Sequence, residues 1–195
     1  MKHPKALRYF FLTEMWERFG FYILSSILIL YLTSQLDLSD SASYAILGEF
    51  TALAYIMPVF GGYLANNLLG YRVAILVGAL LLFAGYAALA ISTSALLVGL
   101  ALVIVGNGFL KPNISSFLGE FYGPNDPKRE AGFTLFYVGI NLGAFTAPLV
   151  AGLVRGTLGS PTCFAIASMG LLIAAITFRM SFKHMENKGF APKKT

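Results

Sequence analysis

Glu14, Glu17 and Arg18 stand within five residues of one another in an otherwise apolar stretch, and Lys111 stands inside a second one. In a hydrocarbon-spanning helix each such charge costs about 2.5–3.5 kcal/mol at the centre. Four left unpaired would cost on the order of 10 kcal/mol, comparable to a whole protein's stability. Two carboxylates and two cations sum to zero, so the four predict a mutually compensating cluster facing a polar cavity. At 100° per residue, positions 14, 17, 18, 21, 22 and 25 share one helical face, which adds Phe21, Tyr22 and Ser25. A carboxylate held against a cation loses that restraint when the cation moves to a solute. Protonation and solute binding are then linked, as proton coupling requires. His3 and His184 are terminal, so the couple has to rest on carboxylates. The structural alternative is an ion-pair network that only fixes helix packing, but buried ion pairs are poor stabilisers.

These residues have to be carried by membrane-spanning elements. Of 195 residues, 57% are hydrophobic and 12% charged, with mean hydropathy +0.72; soluble domains carry about 25% charged residues. Six apolar blocks run about 8–33, 43–68, 73–92, 95–122, 129–155 and 161–182, each long enough for a span of about 20 residues. Hydrocarbon admits only helices or closed barrels. Runs such as Val73–Leu82 and Leu96–Val105 do not alternate as barrel strands do. The fold class is therefore an all-α membrane protein, a six-transmembrane-helix bundle. Residues 1–182 form the bundle, and 183–195 form a polar cytoplasmic tail or the start of an inter-bundle linker. The N-terminus is expected to be a retained first span, because Glu14, Glu17 and Arg18 interrupt what would be a signal peptide's apolar region.

The net charge of +5 does not form a nucleic-acid patch. Eleven of the fourteen Lys and Arg flank the blocks on one side: Lys2, Lys5, Arg8, Arg72, Lys128, Arg129, Arg179, Lys183, Lys188, Lys193 and Lys194. Only Arg155 lies on the other, so the positive-inside rule puts both termini in the cytoplasm. Cys163 is the single cysteine and has no internal disulfide partner. Neither a metal-ligand spacing, a nucleophile with a base, nor a phosphate loop is present, which disfavours an enzyme. No cofactor is expected beyond protons as the coupling ion.

Polar and small residues extend the cavity. Tyr55 precedes Pro58 and the Gly61-Gly62 pair, while Tyr137 and Asn141 lie at i and i+4 on one face. Interfacial anchoring or packing is the plainer role for the tyrosines, and Asn141 could join helices by hydrogen bonding. Glu49 and Glu120 lie near block ends and are assigned no role.

Glu14-Met-Trp-Glu17-Arg18-Phe19-Gly-Phe-Tyr22 resembles the ExxERFxxY motif of the proton-dependent oligopeptide transporters, within the major facilitator superfamily. Gly108-Phe-Leu-Lys111-Pro112-Asn113-Ile-Ser115 is similar to their fourth-helix signature, and Phe136-Tyr137-Val-Gly-Ile-Asn141-Leu-Gly143 to their fifth-helix signature. Gly61-Gly62-Tyr-Leu-Ala-Asn66-Asn67-Leu-Leu-Gly70-Tyr-Arg72 resembles the superfamily's loop between helices two and three. The resemblance implies one half of a carrier of two six-helix bundles, each a 3+3 inverted repeat, taking up di- and tripeptides with protons. It implies that Glu14, Glu17, Arg18 and Lys111 couple protons. It further implies that Tyr22, Tyr55, Lys111, Tyr137 and Asn141 bind peptide and that Arg72 belongs to a cytoplasmic gating loop. The implied partners are small peptides, the lipid bilayer and a second six-helix bundle, from a missing C-terminal half or another chain. The implied location is the plasma membrane, the inner membrane of a bacterium.

Four residues depart from the family pattern. Ser25 stands where many members have an arginine, Phe21 replaces a frequent tyrosine, Asn66 replaces a usual aspartate, and Glu120 occupies an often uncharged position. Ser25 leaves room for a proton-coupled transporter of a non-peptide solute. A half-length or truncated non-transporting membrane protein, a docking protein and a proton or ion channel are the other readings.

Overall fold

A computed structural model describes residues 3–191. Lys2, Lys193 and Lys194, counted above among the basic flanks, lie outside the described residues. The apolar blocks are helices: α1 (Ala6–Ser34), α2 (Asp40–Leu64), α3 (Tyr71–Ile91), α4 (Leu96–Gly119), α5 (Arg129–Leu158) and α6 (Ser160–Ser181). All six are long and apolar enough to cross a membrane. Among the described residues there is no strand. A local surprise is that α2 continues as a π-helical turn over Ala65–Leu69, which carries the helix to about the end of the expected 43–68 block, into the stretch that resembles the superfamily's loop.

The chain reverses sharply after α2 and again after α5. Gly70 (φ 76°) and Gly159 (φ 84°) make these reversals in a backbone conformation that side chains with a Cβ rarely adopt. With the π turn included, the segment before each glycine is 30 residues long, Asp40–Leu69 and Arg129–Leu158. Packing repeats in the same way. The main packed pairs are α1 with α5 and α6, α4 with α2 and α3, and α3 with α6. Exchanging each helix for the one three places on maps this set onto itself, so the bundle is two three-helix units related by a pseudo-twofold axis, as in a 3+3 repeat.

Packing in lipid rests on close contact rather than on exclusion of water. α1, α3, α4 and α6 bury most of their contact surface in a core that includes Phe10, Phe117 and Phe178, whose rings lie 5.3 and 5.9 Å from that of Phe10. α2 and α5 are attached by single stripes. On α2 the stripe is Ser43, Phe50, Ala54 and Gly61, and on α5 it is Gly132, Phe136, Gly139, Gly143, Ala147 and Ala151. Beyond half-buried flanks such as Leu47 and Ile140, the outer faces of both helices are uncovered, with Val59 71% and Leu153 74% exposed. Six crossings bring both ends of the chain to the same end of the bundle, where the Tyr9 and His184 rings lie 5.4 Å apart.

Candidate functional site

The charged residues of α1 are buried in the bundle. Glu14, Glu17 and Arg18 are 3%, 1% and 5% exposed. Arg18 forms a two-pronged ion pair with the neighbouring Glu17, and its Nε lies 3.4 Å from Glu14 Oε1, one turn back. Such a fork matches a planar guanidinium to a carboxylate. Glu14 Oε2 has no partner among the described residues. The cluster is held from α5, where a Cβ at Gly143 would collide with the Met15 carbonyl and lie 3.2 Å from Arg18 Cβ. Glycine there lets the two backbones touch beside the arginine.

Lys111 is placed differently from the sequence expectation. It is half-buried on α4, near enough for its charge to act on Glu14, Glu17 and Arg18. The recorded ion pairs of the two carboxylates are with Arg18. Its Nζ stands 5.7 Å from the ring centroid of Tyr55, a cation–π distance. The four charges share one region, but a single cation holds both acids.

Tyr22, Tyr55, Tyr137 and Asn141 all lie exposed, Tyr55 at 74% and Tyr137 at 57%. The structure joins Tyr55 to Lys111, and Tyr22 to Phe21 by edge-to-face rings 5.8 Å apart. It records no direct contact tying Tyr137 or Asn141 to the charged cluster. Ser25 turns its hydroxyl back onto the Phe21 carbonyl at 2.9 Å.

Arg72 is engaged with the segment after α6. Its Nε donates to the Lys188 carbonyl at 2.7 Å and its Nη2 to the Glu186 carbonyl at 2.5 Å. Its guanidinium lies over the Phe190 ring at 4.1 Å, and its backbone N–H donates to the Gly189 carbonyl at 3.0 Å. Lys188 Nζ donates in turn to the Glu120 carbonyl at 2.9 Å, and Met185 is fully buried. Residues 183–191 thus lie folded against the ends of α3 and α4.

Some buried polar residues escaped the reading of the sequence. Asn113 was seen only as part of a motif; its amide donates to the Phe109 carbonyl at 2.7 Å and across to the Gly61 carbonyl of α2 at 3.2 Å. It therefore ties α2 to α4 beside Pro112, where the helix lacks a backbone donor. Asn107 and Tyr86 were not singled out. Asn107 Oδ1 and the Tyr86 hydroxyl are buried without a partner among the described residues. The Tyr86 ring abuts Gly20, one turn beyond Glu17. A lone Asn or Tyr in an apolar block carries little signal, because anchoring and packing use the same residues.

Two three-helix units with a charged cluster buried on the first helix define a membrane bundle of the major facilitator kind. Comparison with known proteins specifies the family. The family model described as the POT family matches residues 72–194. Dipeptide and tripeptide permease A of Salmonella typhi is 36% identical over 194 residues, covering 98% of this chain and 39% of the permease. The permease of the same name from Edwardsiella piscicida is also 36% identical, with 40% of its length covered. Among solved structures, the peptide transporter POT in complex with sulfate superposes with a TM-score of 0.93 at 38% identity, over 98% of this chain and 41% of that one. A POT family transporter in complex with 5-aminolevulinic acid gives 0.92 at 29% identity, over 97% and 41%. This multi-pass membrane chain belongs to the POT family, a family of transporters. It spans about two fifths of the length of the curated relatives it matches.

Proposed function

We propose that this chain serves as the N-terminal six-helix bundle of a proton-coupled symporter of di- and tripeptides. The observation that carries the reading is Arg18 shared between Glu14 and Glu17 inside the membrane region. The relatives' names, dipeptide and tripeptide permease, supply the solute class. In this reading a peptide's carboxylate draws Arg18 toward the open face bearing Tyr22, Tyr55, Tyr137 and Asn141, where Lys111 adds a second positive charge. Glu17 then loses its counter-ion and takes a proton, which ties solute binding to proton uptake. Glu14, with one oxygen unpartnered, shares that proton-handling role.

A second six-helix bundle covers the open face, and alternating access comes from rocking of one bundle against the other. Both termini are cytoplasmic, by the distribution of Lys and Arg, and the membrane in this reading is the plasma membrane. Residues 183–195 begin the connection between bundles, and Arg72 belongs to the gate at that end.

Ser25 favours a second reading, proton-coupled transport of a non-peptide solute. Its hydroxyl is committed to the Phe21 carbonyl, so this position offers no cation to a peptide carboxylate. The test is gradient-driven uptake and solute exchange by the full-length carrier in liposomes, with a dipeptide panel. Glu17→Gln is expected to abolish accumulation and spare exchange, and Lys111→Ala to lose uptake. pH-driven accumulation that survives Glu17→Gln removes the proton role from that residue. A carrier that ignores every dipeptide but accumulates another solute establishes the second reading.

A further inference from the structure

Arg18 is held by more than its acids. Its guanidinium carbon lies over the Phe21 ring, 5.0 Å from the centroid, a cation–π distance. Phe21 is in turn stacked on Phe50 of α2, with centroids 6.2 Å apart and planes 26° from parallel. Phe50 is 3% exposed and sits on the single buried stripe by which α2 is attached. α1 and α2 otherwise meet sparsely. The stem of Arg18 is also packed against α5 at Gly143. For Arg18 to move away from Glu17 and this ring, the contact with Phe21 has to break, and Phe50 braces that ring from α2.

We propose that Phe21, braced from α2 by Phe50, is a positioning residue that sets how readily Arg18 leaves Glu17. This inference rests on the proposed hand-off of Arg18 from acid to solute, and it makes the position of α2 a determinant of that event. A cation–π contact away from water reaches about the strength that changes an equilibrium tenfold. Truncating the ring therefore increases the share of released Arg18 by about tenfold. A carrier so altered holds solute more tightly and couples it to protons less faithfully.

Two measurements on the full-length carrier test this. The first needs no solute: nuclear magnetic resonance of arginine-labelled protein in lipid, with the Arg18 Nε–H signal assigned through Arg18→Lys. Phe21→Leu and, from the neighbouring helix, Phe50→Leu are expected to lower the order of that N–H, and Phe21→Tyr, which keeps the ring, to preserve it. Equal order in wild type, Phe21→Leu and Phe50→Leu overturns the proposal. The second is dipeptide counterflow, where Phe21→Leu is expected to lower the half-saturating concentration by about tenfold while reducing proton-driven accumulation. Unchanged counterflow and accumulation also overturn it. If the wild-type carrier exchanges no dipeptide, the peptide reading fails and the resonance measurement decides the role of Phe21 by itself. Phe50→Leu keeps the test available if Phe21→Leu does not fold.

Discussion

Glu14 and Glu17 pair with Arg18 on their own helix instead of reaching across to Lys111 on α4, although all four lie in one region. A forked guanidinium serves two acids at once, whereas an ammonium is a point charge that can also settle on an aromatic face, here Tyr55. Helical periodicity placed 14, 17 and 18 together, because one turn of α-helix determines that. The choice of partner depends on rotamers, which Phe21 within the motif and Gly143 from α5 restrict. Tyr86 gives a prediction at this scale. Its buried hydroxyl has no partner among the described residues, and an unpaired buried hydroxyl is a cost that an apolar replacement removes. Tyr86→Phe is expected to leave thermal stability unchanged or to raise it by up to about 1 kcal/mol. A lowered melting temperature in lipid would show that the hydroxyl is hydrogen-bonded in the membrane.

At the scale of elements, the six helices were legible from apolar length, and their ends fall within a few residues of the expected blocks. The π turn at Ala65–Leu69 was not, because its i→i+5 pairing has no compositional mark. Nor was the packing of residues 183–191. Their polar composition reads as solvated chain, but Arg72 takes up their carbonyls and Phe190 stacks on its guanidinium. Charge-assisted bonds of this kind contribute about 1.5–3 kcal/mol each. Arg72→Ala is therefore expected to free this segment, and limited trypsin digestion at Lys188 should accelerate at least about tenfold. Arg72→Lys, which cannot make the two-pronged contact, should fall between. Equal digestion of all three would mean that the segment is held by Met185 and its apolar neighbours alone.

The whole molecule has two unlike surfaces. The outer sides of α3 and α6 are ordinary apolar surface, with Leu80 and Ile173 46% and 41% exposed. α2 and α5 are attached by one stripe each and leave most of their circumference bare. The relatives are about two and a half times longer than the stretch they share with this chain. If a second bundle covers the bare faces, spin labels at Val59 and Leu153 in the full-length carrier should be shielded from lipid-dissolved oxygen, while labels at Leu80 and Ile173 stay accessible. Equal accessibility at all four sites would place the second bundle elsewhere.

By itself the sequence determined that this chain crosses a membrane as six helices and that four ionisable residues sit within them. Both follow from local rules: the length of apolar runs against the thickness of hydrocarbon, and the cost of a charge placed there. The family motifs likewise lie in short contiguous runs. The repeat was barely visible, because charges inside the first and fourth blocks are all that the two halves share in the sequence, whereas the matching glycine reversals and 30-residue segments belong to the fold. Tertiary structure alone decided which cation holds the acids, that α2 reaches Arg18 through Phe50 and Phe21, and that Arg72 grips residues 186–190. The first is a choice between a neighbouring arginine and a lysine on another helix, the other two join residues distant in sequence, and all three are settled only once the helices have packed.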